Sequence, residues 1–197
     1  MKWQTFQMIN VDKANDQNYW QRSIEVYEHF KKFRSEVIEA GLFTENSLTE
    51  VLLDFIAAPS GDRRALLKSM IFEAESFTFF QKWKLLRDLL EMYVGPLKLD
   101  PEEMKSLRKE LHEIISLRNR FAHGSIFVDV SDFSVWMEYR EGTKRWEKLE
   151  EPSLMAAKDT CDRIHSRLWE IHEAIAALGY ILPVIDAYAS QETSCRN

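Results

Sequence analysis

The sequence predicts a mainly helical protein, in which a helical bundle carries a small antiparallel β hairpin or sheet inserted before a long C-terminal helix. Three observations predict this class. Apolar residues recur every three or four positions along most of the 197 residues. Only 6 Gly and 5 Pro are present, which favours long helices over a sandwich with many turns. Between Ser125 and Leu149 the period shortens to two, which indicates strands.

The first two apolar stripes are separated by a glycine. The first stripe consists mostly of aromatic residues, namely Trp20, Ile24, Tyr27, Phe30, Phe33 and Val37. We expect its helix to end at Gly41, because glycine is the commonest residue just after a helix. A second helix is predicted over the stripe from Leu48 to Ile56, before Pro59 and Gly61 break the pattern.

Three further helices are predicted before the strands. One covers about residues 63–71, and the next carries the apolar stripe of residues 79–93. Asp100 and Pro101 form an N-cap and first-turn pair for the third. An arginine continues the apolar stripe of this helix, which is Leu107, Leu111, Ile114 and Arg118.

The remaining elements follow Gly124. Strands are predicted at 125–130, 135–140 and 145–149, with a hairpin turn at Glu141-Gly142-Thr143. Pro152 then opens a long helix with strict three-four spacing.

These elements predict one domain over residues 1–190. Its helical core covers about 16–124, its β insertion about 125–150 and its C-terminal helix about 152–179, and residues 191–197 form a polar tail.

Composition indicates a folded protein in a reducing compartment. Hydrophobic residues make up 45% of the chain, which is enough for a sizeable core. Cys161 and Cys195 do not form a spaced disulfide framework. The N-terminal segment MKWQTFQMIN lacks the apolar core of a signal peptide, and no window approaches a membrane-spanning run. We therefore expect a cytoplasmic protein that makes no use of a membrane.

The end of the fifth helix, from Leu117 to Gly124, carries groups suited to chemistry. Asn119 and His123 are four residues apart and therefore share one helix face. Arg118 and His123 are separated by about 140° around the helix. These two residues can converge only near the helix end or across two copies of the helix.

Arg118, Asn119 and His123 would be sufficient for metal-free RNA cleavage. The helix dipole favours a charged His123 while Arg118 and Arg120 disfavour it, a balance that suits proton transfer near neutral pH. Arg118 can hold a phosphate by a forked contact, and Asn119 can orient the imidazole or bind a ribose or phosphate oxygen. The alternative is that the three residues form a polar network that ties helix ends together or seals a dimer.

Other charged and ligand-type residues are secondary candidates. Arg120 and Lys82 are candidate substrate-binding residues, although a surface ion pair is the alternative for Lys82. Cys161 and His165 are an i, i+4 pair that could offer two metal ligands, but no second pair is evident. We therefore expect no metal site and no cofactor. The net charge of −6 argues against a bulk binder of polyanions, although residues 62–120 are slightly basic.

Aromatic residues are also frequent in the predicted strands. They could form a platform for nucleic-acid bases, or they could cover the helical bundle together with a neighbouring valine. The residues concerned are Phe127, Val135, Trp136 and Trp146.

The motif Arg118-Asn119-Arg120-Phe121-Ala122-His123 resembles the HEPN superfamily, whose signature is Arg, four to six residues and then His at the end of a helix in a small bundle. Asn directly after the Arg is frequent in that superfamily. The segment from Phe80 to Leu86 is similar to the Lys-bearing helix that precedes the motif in some of its families.

The resemblance implies a homodimer in which two motif helices face each other and pool two Arg and two His. Many HEPN proteins are metal-independent ribonucleases in toxin–antitoxin, phage-defence or RNA-processing systems, and others are inactive dimerisation or binding modules. RNA and a protein partner such as an antitoxin are the partners that it implies. One toxin branch carries a Tyr two residues after the His, and Ser125 at that position argues against membership of that branch.

Overall fold

The computed structural model describes residues 7–9, 17–57, 61–74, 76–93, 95, 97–129 and 131–178. Cys195 and the tail predicted at 191–197 lie outside these residues. The described chain is mainly helical with one small sheet, which confirms this part of the predicted fold class. Its elements are β1 (Gln7–Ile9), α1 (Gln17–Ile56), α2 (Asp62–Leu67), α3 (Phe79–Tyr93), α4 (Pro101–His123), β2 (Ser125–Asp129), β3 (Val135–Glu141), β4 (Thr143–Leu149) and α5 (Glu151–Ala177). A π-helical turn, Lys68–Phe72, directly follows α2.

The chain divides into two compact units. Unit 1 comprises Met1–Leu42 and Ile114–Cys161, and unit 2 comprises Phe43–Glu113 and Asp162–Asn197. Unit 1 contains the whole sheet and the motif at the end of α4. The single domain over residues 1–190 stays a prediction.

Helix α1 does not end at Gly41, so the predicted stop is wrong. The helix continues through this glycine to Ile56, and the two helices expected at 20–41 and 48–56 are one. A Cβ atom at Gly41 would lie 2.8 Å from Cγ and 3.1 Å from Cβ of Arg118. Gly41 therefore leaves room for the arginine of the motif.

Substitution of Gly41 by alanine is expected to destabilise the protein by about 1 kcal/mol. The overpacking against Arg118, about 2 kcal/mol, exceeds the roughly 1 kcal/mol gained from the helix propensity of alanine. In an Arg118→Ala background, where Cγ is absent, the same substitution should become neutral or stabilising. Urea unfolding of the two single variants and the double variant measures this coupling. Equal effects of Gly41→Ala in both backgrounds would contradict the close contact.

The sheet has the strand order β1-β2-β3-β4. Strands β2, β3 and β4 are antiparallel, as predicted, and lie close to the predicted positions. Gly142, with a φ of 70°, forms the hairpin turn expected between Glu141 and Thr143. Strand β1 was not predicted: it pairs in parallel with β2. Its three residues have no periodicity of their own, and their partners are distant in the chain.

One face of the sheet forms the core of unit 1. The buried residues of this core are Val37, Phe121, Ile126, Val128, Val135, Met137, Leu149 and Leu154. Because side chains alternate along a strand, Phe127, Trp136 and Trp146 project from the opposite face. Among the four strand residues considered above, Val135 belongs to this core.

The secondary-structure elements among the described residues of unit 2 are all helical. Its helices bury apolar stripes at the predicted spacing, which include Leu48, Leu52, Leu86, Leu90, Leu107, Leu111, Ile164, Leu168 and Ile171. Asp100 caps α4, since its Oδ1 accepts hydrogen bonds from the backbone N–H groups of Glu102 and Glu103 at 2.8 and 3.4 Å. The N-cap predicted at this residue is confirmed.

Candidate functional site

The motif lies where α4 ends and β2 begins. His123 is the last residue of α4 and is exposed. A Cβ atom at Gly124 would lie 2.6 Å from the carbonyl oxygen of Arg120 and 3.0 Å from that of Glu138. Only a glycine fits between α4 and β3 at this point. Gly124 therefore keeps His123 close to β3.

Arg34 of α1 stabilises the end of the motif helix. Its Nε donates to the carbonyl oxygen of Phe121 at 2.8 Å, and its Nη2 donates to that of Ala122 at 3.4 Å. These carbonyls have no partner within the helix and carry the negative end of its dipole. Burial lowers the pKa of Arg34, an effect that Tyr27 partly opposes. Arg34 is a positioning residue that is not predictable from the sequence, because its partners are distant in the chain.

The Arg34→Leu variant is expected to lose about 2 kcal/mol of unfolding free energy, since two carbonyls at the end of α4 lose a charged donor. Backbone amides of residues 121–125 should exchange with deuterium faster than in the wild type. Lys32→Leu is the matched control, because Lys32 lies on the same helix with a side chain that is 78% exposed. Equal stability of the two variants would contradict a role for Arg34 in holding α4.

Three of the five candidate residues line one cavity of about 460 Å³ in unit 1. Its lining consists of residues from the end of α4, the start of β2 and the end of β3, namely Ser116, Asn119, Arg120, His123, Ser125, Glu138, Tyr139, Arg140 and Glu141. Asn119 and His123 are both exposed. They face the same cavity, as their spacing predicts.

Arg118 is not among the described residues that line this cavity. Its side chain is half-buried, and its stem packs against Gly41. Its Nη1 donates to Oδ1 of Asn119 at 3.1 Å. Within one chain, Arg118 contacts the lining of the cavity through Asn119, which agrees with the angular separation of Arg118 and His123.

Arg120 binds protein groups on two sides. Its Nη1 donates to Oε2 of Glu147 at 2.5 Å, and its guanidinium carbon lies 5.3 Å from the ring centroid of Tyr139. These contacts join α4 to the β3–β4 hairpin. A phosphate would have to compete with Glu147 for this guanidinium.

The carboxylates of the cavity are paired with cations from β4. Glu138 binds Nζ of Lys144 at 2.7 Å, and Glu141 lies 3.5 Å from Nη1 of Arg145. Arg140 and His123 add positive or protonatable groups to the lining. The cavity is therefore polar and of mixed charge, and its acidic groups are largely compensated.

Lys82 lies in unit 2 and forms an ion pair, as the alternative to substrate binding has it, but the pair is buried and does not lie on the surface. Its side chain is only 6% exposed, and its Nζ donates to Oε1 of Glu45 at 2.8 Å. The enclosed ammonium is committed to this carboxylate. The structure does not offer Lys82 to a substrate.

A second cavity, of about 270 Å³, lies in unit 2. Nδ1 of His172 lies 2.6 Å from Oδ2 of the buried Asp54, whose Oδ1 accepts from Nη1 of Arg64 at 2.8 Å. Nδ1 of His165 lies 3.0 Å from Oγ of Ser47. Asp54 is not among the residues predicted from the sequence, although an aspartate within the apolar run of residues 51–56 is a usable signal for a buried charge.

The charges beside this cavity stabilise one another. Burial acts to lower the pKa of Arg64, but hydrogen bonds to Glu50 and Asp54 outweigh it and raise that pKa. Burial acts to raise the pKa of Glu50, but hydrogen bonds from Lys68 and Arg64 lower it overall. Within this network, both side-chain oxygens of the buried Asp54 have a partner.

The described residues contain no group of three His, Cys, Asp or Glu that could hold a metal ion. In the same residues, no helix is sufficiently long and apolar to span a membrane. No family model, curated protein or solved structure matches this chain. The resemblance to the HEPN superfamily therefore rests on the motif residues themselves.

Proposed function

We propose that this protein is a HEPN-like, metal-independent RNA endonuclease of a toxin, phage-defence or RNA-processing type, which acts in the cytoplasm as a homodimer. The observation that carries the proposal is that exposed His123 and Asn119 share a polar cavity with two arginines, Arg120 and Arg140. This combination supplies a proton-transfer group and cations around a space that is large enough for a phosphodiester.

The proposed reaction is an internal transfer at phosphorus. His123 accepts the proton of the ribose 2′-hydroxyl, and the 2′-oxygen attacks the adjacent phosphorus. Arg118 stabilises the negative charge that develops on the phosphoryl oxygens. A protonated group, the second His123 of the dimer, donates a proton to the leaving 5′-oxygen. The products are a 2′,3′-cyclic phosphate and a 5′-hydroxyl, so no metal-bound water is needed.

A second copy of the chain would supply the Arg118 that the cavity of one chain lacks. In a single chain, Arg118 contacts Asn119 and Gly41, whereas His123 lines the cavity. Two α4 ends that face each other would bring the Arg118 of one chain towards the His123 of the other. We therefore propose a composite site at a homodimer interface.

A specific observation favours a second candidate function, that of an inactive dimerisation or binding module. Arg118 is held on two sides, by Asn119 and by the close approach of Gly41, and Arg120 is bound to Glu147. Such contacts suit a structural network at an interface. In this case a protein partner such as an antitoxin would bind the dimer without turnover.

Incubation of the purified protein with a broad panel of RNAs in EDTA tests the proposal. We expect cleavage, fragments that carry 2′,3′-cyclic phosphate ends by mass spectrometry, and a dimer by sedimentation. A folded dimer that leaves the whole panel uncut would favour the inactive module. Cleavage that requires added metal would contradict the proposed reaction.

A further inference from the structure

The face of the sheet opposite the core of unit 1 carries three aromatic residues, Phe127, Trp136 and Trp146. We call it the aromatic face. Phe127 pairs with Trp136 across β2 and β3, and Trp146 pairs with Glu138 across β3 and β4. Residues that are directly opposite in an antiparallel pair project to the same side. The register therefore places all three aromatic side chains on one surface.

Trp146 is the outermost of the three aromatic residues. Its side chain is 44% exposed, although tryptophan is usually covered. The ring packs on Phe127, with centroids 4.8 Å apart at an angle of 48°. Phe127 is almost completely buried, so it forms a rigid base beneath Trp146. Trp146 is thus held in place while part of its ring faces outward.

Cations surround the exposed ring. Arg140 pairs with Lys144, and Trp136 pairs with Lys148, so all three cations share the aromatic face. All three are exposed. Among the described strand residues, this face carries these three cations and two carboxylates, Asp129 and Glu138, in a chain with a net charge of −6. Exposed aromatic rings between lysines and arginines are the features of surfaces that bind single-stranded nucleic acids.

The aromatic face is continuous with the candidate site. Ser125, Glu138 and Arg140 line the cavity that contains His123, and they lie on the same side of the sheet as Trp146. Glu138 is directly opposite Trp146. A group that stacks on Trp146 therefore lies beside the wall of the cavity.

We propose that the aromatic face binds unpaired bases of single-stranded RNA, with one base stacked on Trp146 beside the phosphate held in the cavity. This inference rests on the proposed ribonuclease function, for which it names the substrate class. It predicts preference for unpaired RNA, because bases in a duplex do not offer a face to an aromatic ring.

Lys144 can change its contacts when RNA binds. Its Nζ lies 5.4 Å from the ring centroid of Trp146 and 2.7 Å from Glu138. A base that stacks on the outer side of the ring takes the place of this ammonium. The side chain, which is 55% exposed, can then turn to the phosphate that follows the base. Stacking and phosphate binding are thereby coupled at one residue.

Fluorescence anisotropy of a labelled single-stranded RNA of about eight nucleotides tests the inference. The protein carries His123→Ala so that the probe stays intact. Trp146→Ala is expected to weaken binding by at least about fivefold, the lower limit for loss of one base–aromatic stack. Trp146→Phe, which keeps a ring, should lose much less. Trp169→Ala is the matched control, since Trp169 is a tryptophan of unit 2 that is 55% exposed, and it should bind like the parent protein.

The same RNA annealed to its complement provides the second measurement. We expect the duplex to bind more weakly than the single strand. Equal binding of both forms, or an unchanged affinity of a folded Trp146→Ala variant, would overturn the inference. The inference would also be overturned if Trp146→Ala lost the dimer in sedimentation but kept its RNA affinity, because the aromatic face would then be a protein-contact surface.

Parallel cleavage assays separate this inference from the proposed function. If cleavage depends on His123 but Trp146→Ala binds RNA with normal affinity, the result would contradict base binding by the aromatic face and would still support the nuclease function. If single-stranded RNA binds in a manner that depends on Trp146 but is never cleaved, the result would support base binding by the aromatic face and contradict the nuclease function.

Discussion

Substitution of His123 by alanine is expected to reduce the rate of RNA cleavage by a factor of about 10²–10⁴, the usual contribution of a general acid or base. His123 is exposed at the end of α4, so its side chain adds little to the core. The free energy of unfolding should therefore change by less than about 0.5 kcal/mol. Single-turnover cleavage rates and urea unfolding measure the two quantities on the same samples.

His112→Ala is the matched control for this variant. His112 is an exposed histidine of the same helix, and its ring contacts Trp83 and Phe80 in unit 2 at centroid distances of 5.4 and 6.1 Å. The His112→Ala variant is expected to cleave RNA at the wild-type rate. An unchanged rate in His123→Ala, or an equal loss in both variants, would exclude the proposed role of His123.

A mixture of two inactive variants extends this test to the composite site. His123→Ala chains keep Arg118, and Arg118→Ala chains keep His123. If each active centre combines the two residues from different copies, mixed dimers contain one Arg118–His123 pair and recover part of the activity after subunit exchange, with water in place of the second His123 as proton donor. A site built within one chain would remain inactive in the mixture. That outcome would contradict a composite site at the dimer interface, but it would not contradict the proposed cleavage reaction.

Replacement of Asp54 by alanine is expected to lower the free energy of unfolding by about 3–5 kcal/mol, as for other broken buried ion pairs. The Asp54 side chain is only 2% exposed, and both of its oxygens have partners. The substitution would leave Nη1 of Arg64 and Nδ1 of His172 without their carboxylate in a largely enclosed site. Urea unfolding of the purified variant measures the loss.

Glu50→Ala is the control for Asp54, because Glu50 binds the same arginine at 2.7 Å with a side chain that is 45% exposed. Solvent can replace much of that interaction, so a loss of at most about 1 kcal/mol is expected. Similar losses in the two variants would show that the charge of Asp54 is not enclosed. RNA cleavage should be retained by any Asp54 variant that stays folded, since Asp54 is not part of the proposed site.

Most elements of the fold could be predicted because their patterns are local. The stripe of α3, the Asp100 cap of α4 and the hairpin turn at Gly142 are each encoded within a few neighbouring residues. The prediction that a helix ends at Gly41 is wrong for the same reason, because local rules associate glycine with the end of a helix. The structure shows that it accommodates Arg118. Strand β1 was not predicted because it pairs with β2, which lies more than a hundred residues away in the chain.

The candidate site was predictable only in part. Arg34 and Asp54 escaped notice because their roles depend on carbonyls or side chains from other elements. Lys82 had the residue type of a phosphate ligand, yet Glu45 encloses it in a buried pair. A sequence shows which charges exist, but their solvation and partners depend on packing.

Residue spacing is enough to place Asn119 and His123 on one face of a helix and Arg118 away from His123, because helical geometry follows from spacing. Three features depend on packing: this face opens into a cavity beside β3, Arg118 packs on Gly41, and three aromatics project away from the core. These features are contacts between segments far apart in the chain. Local periodicity does not encode which segments meet.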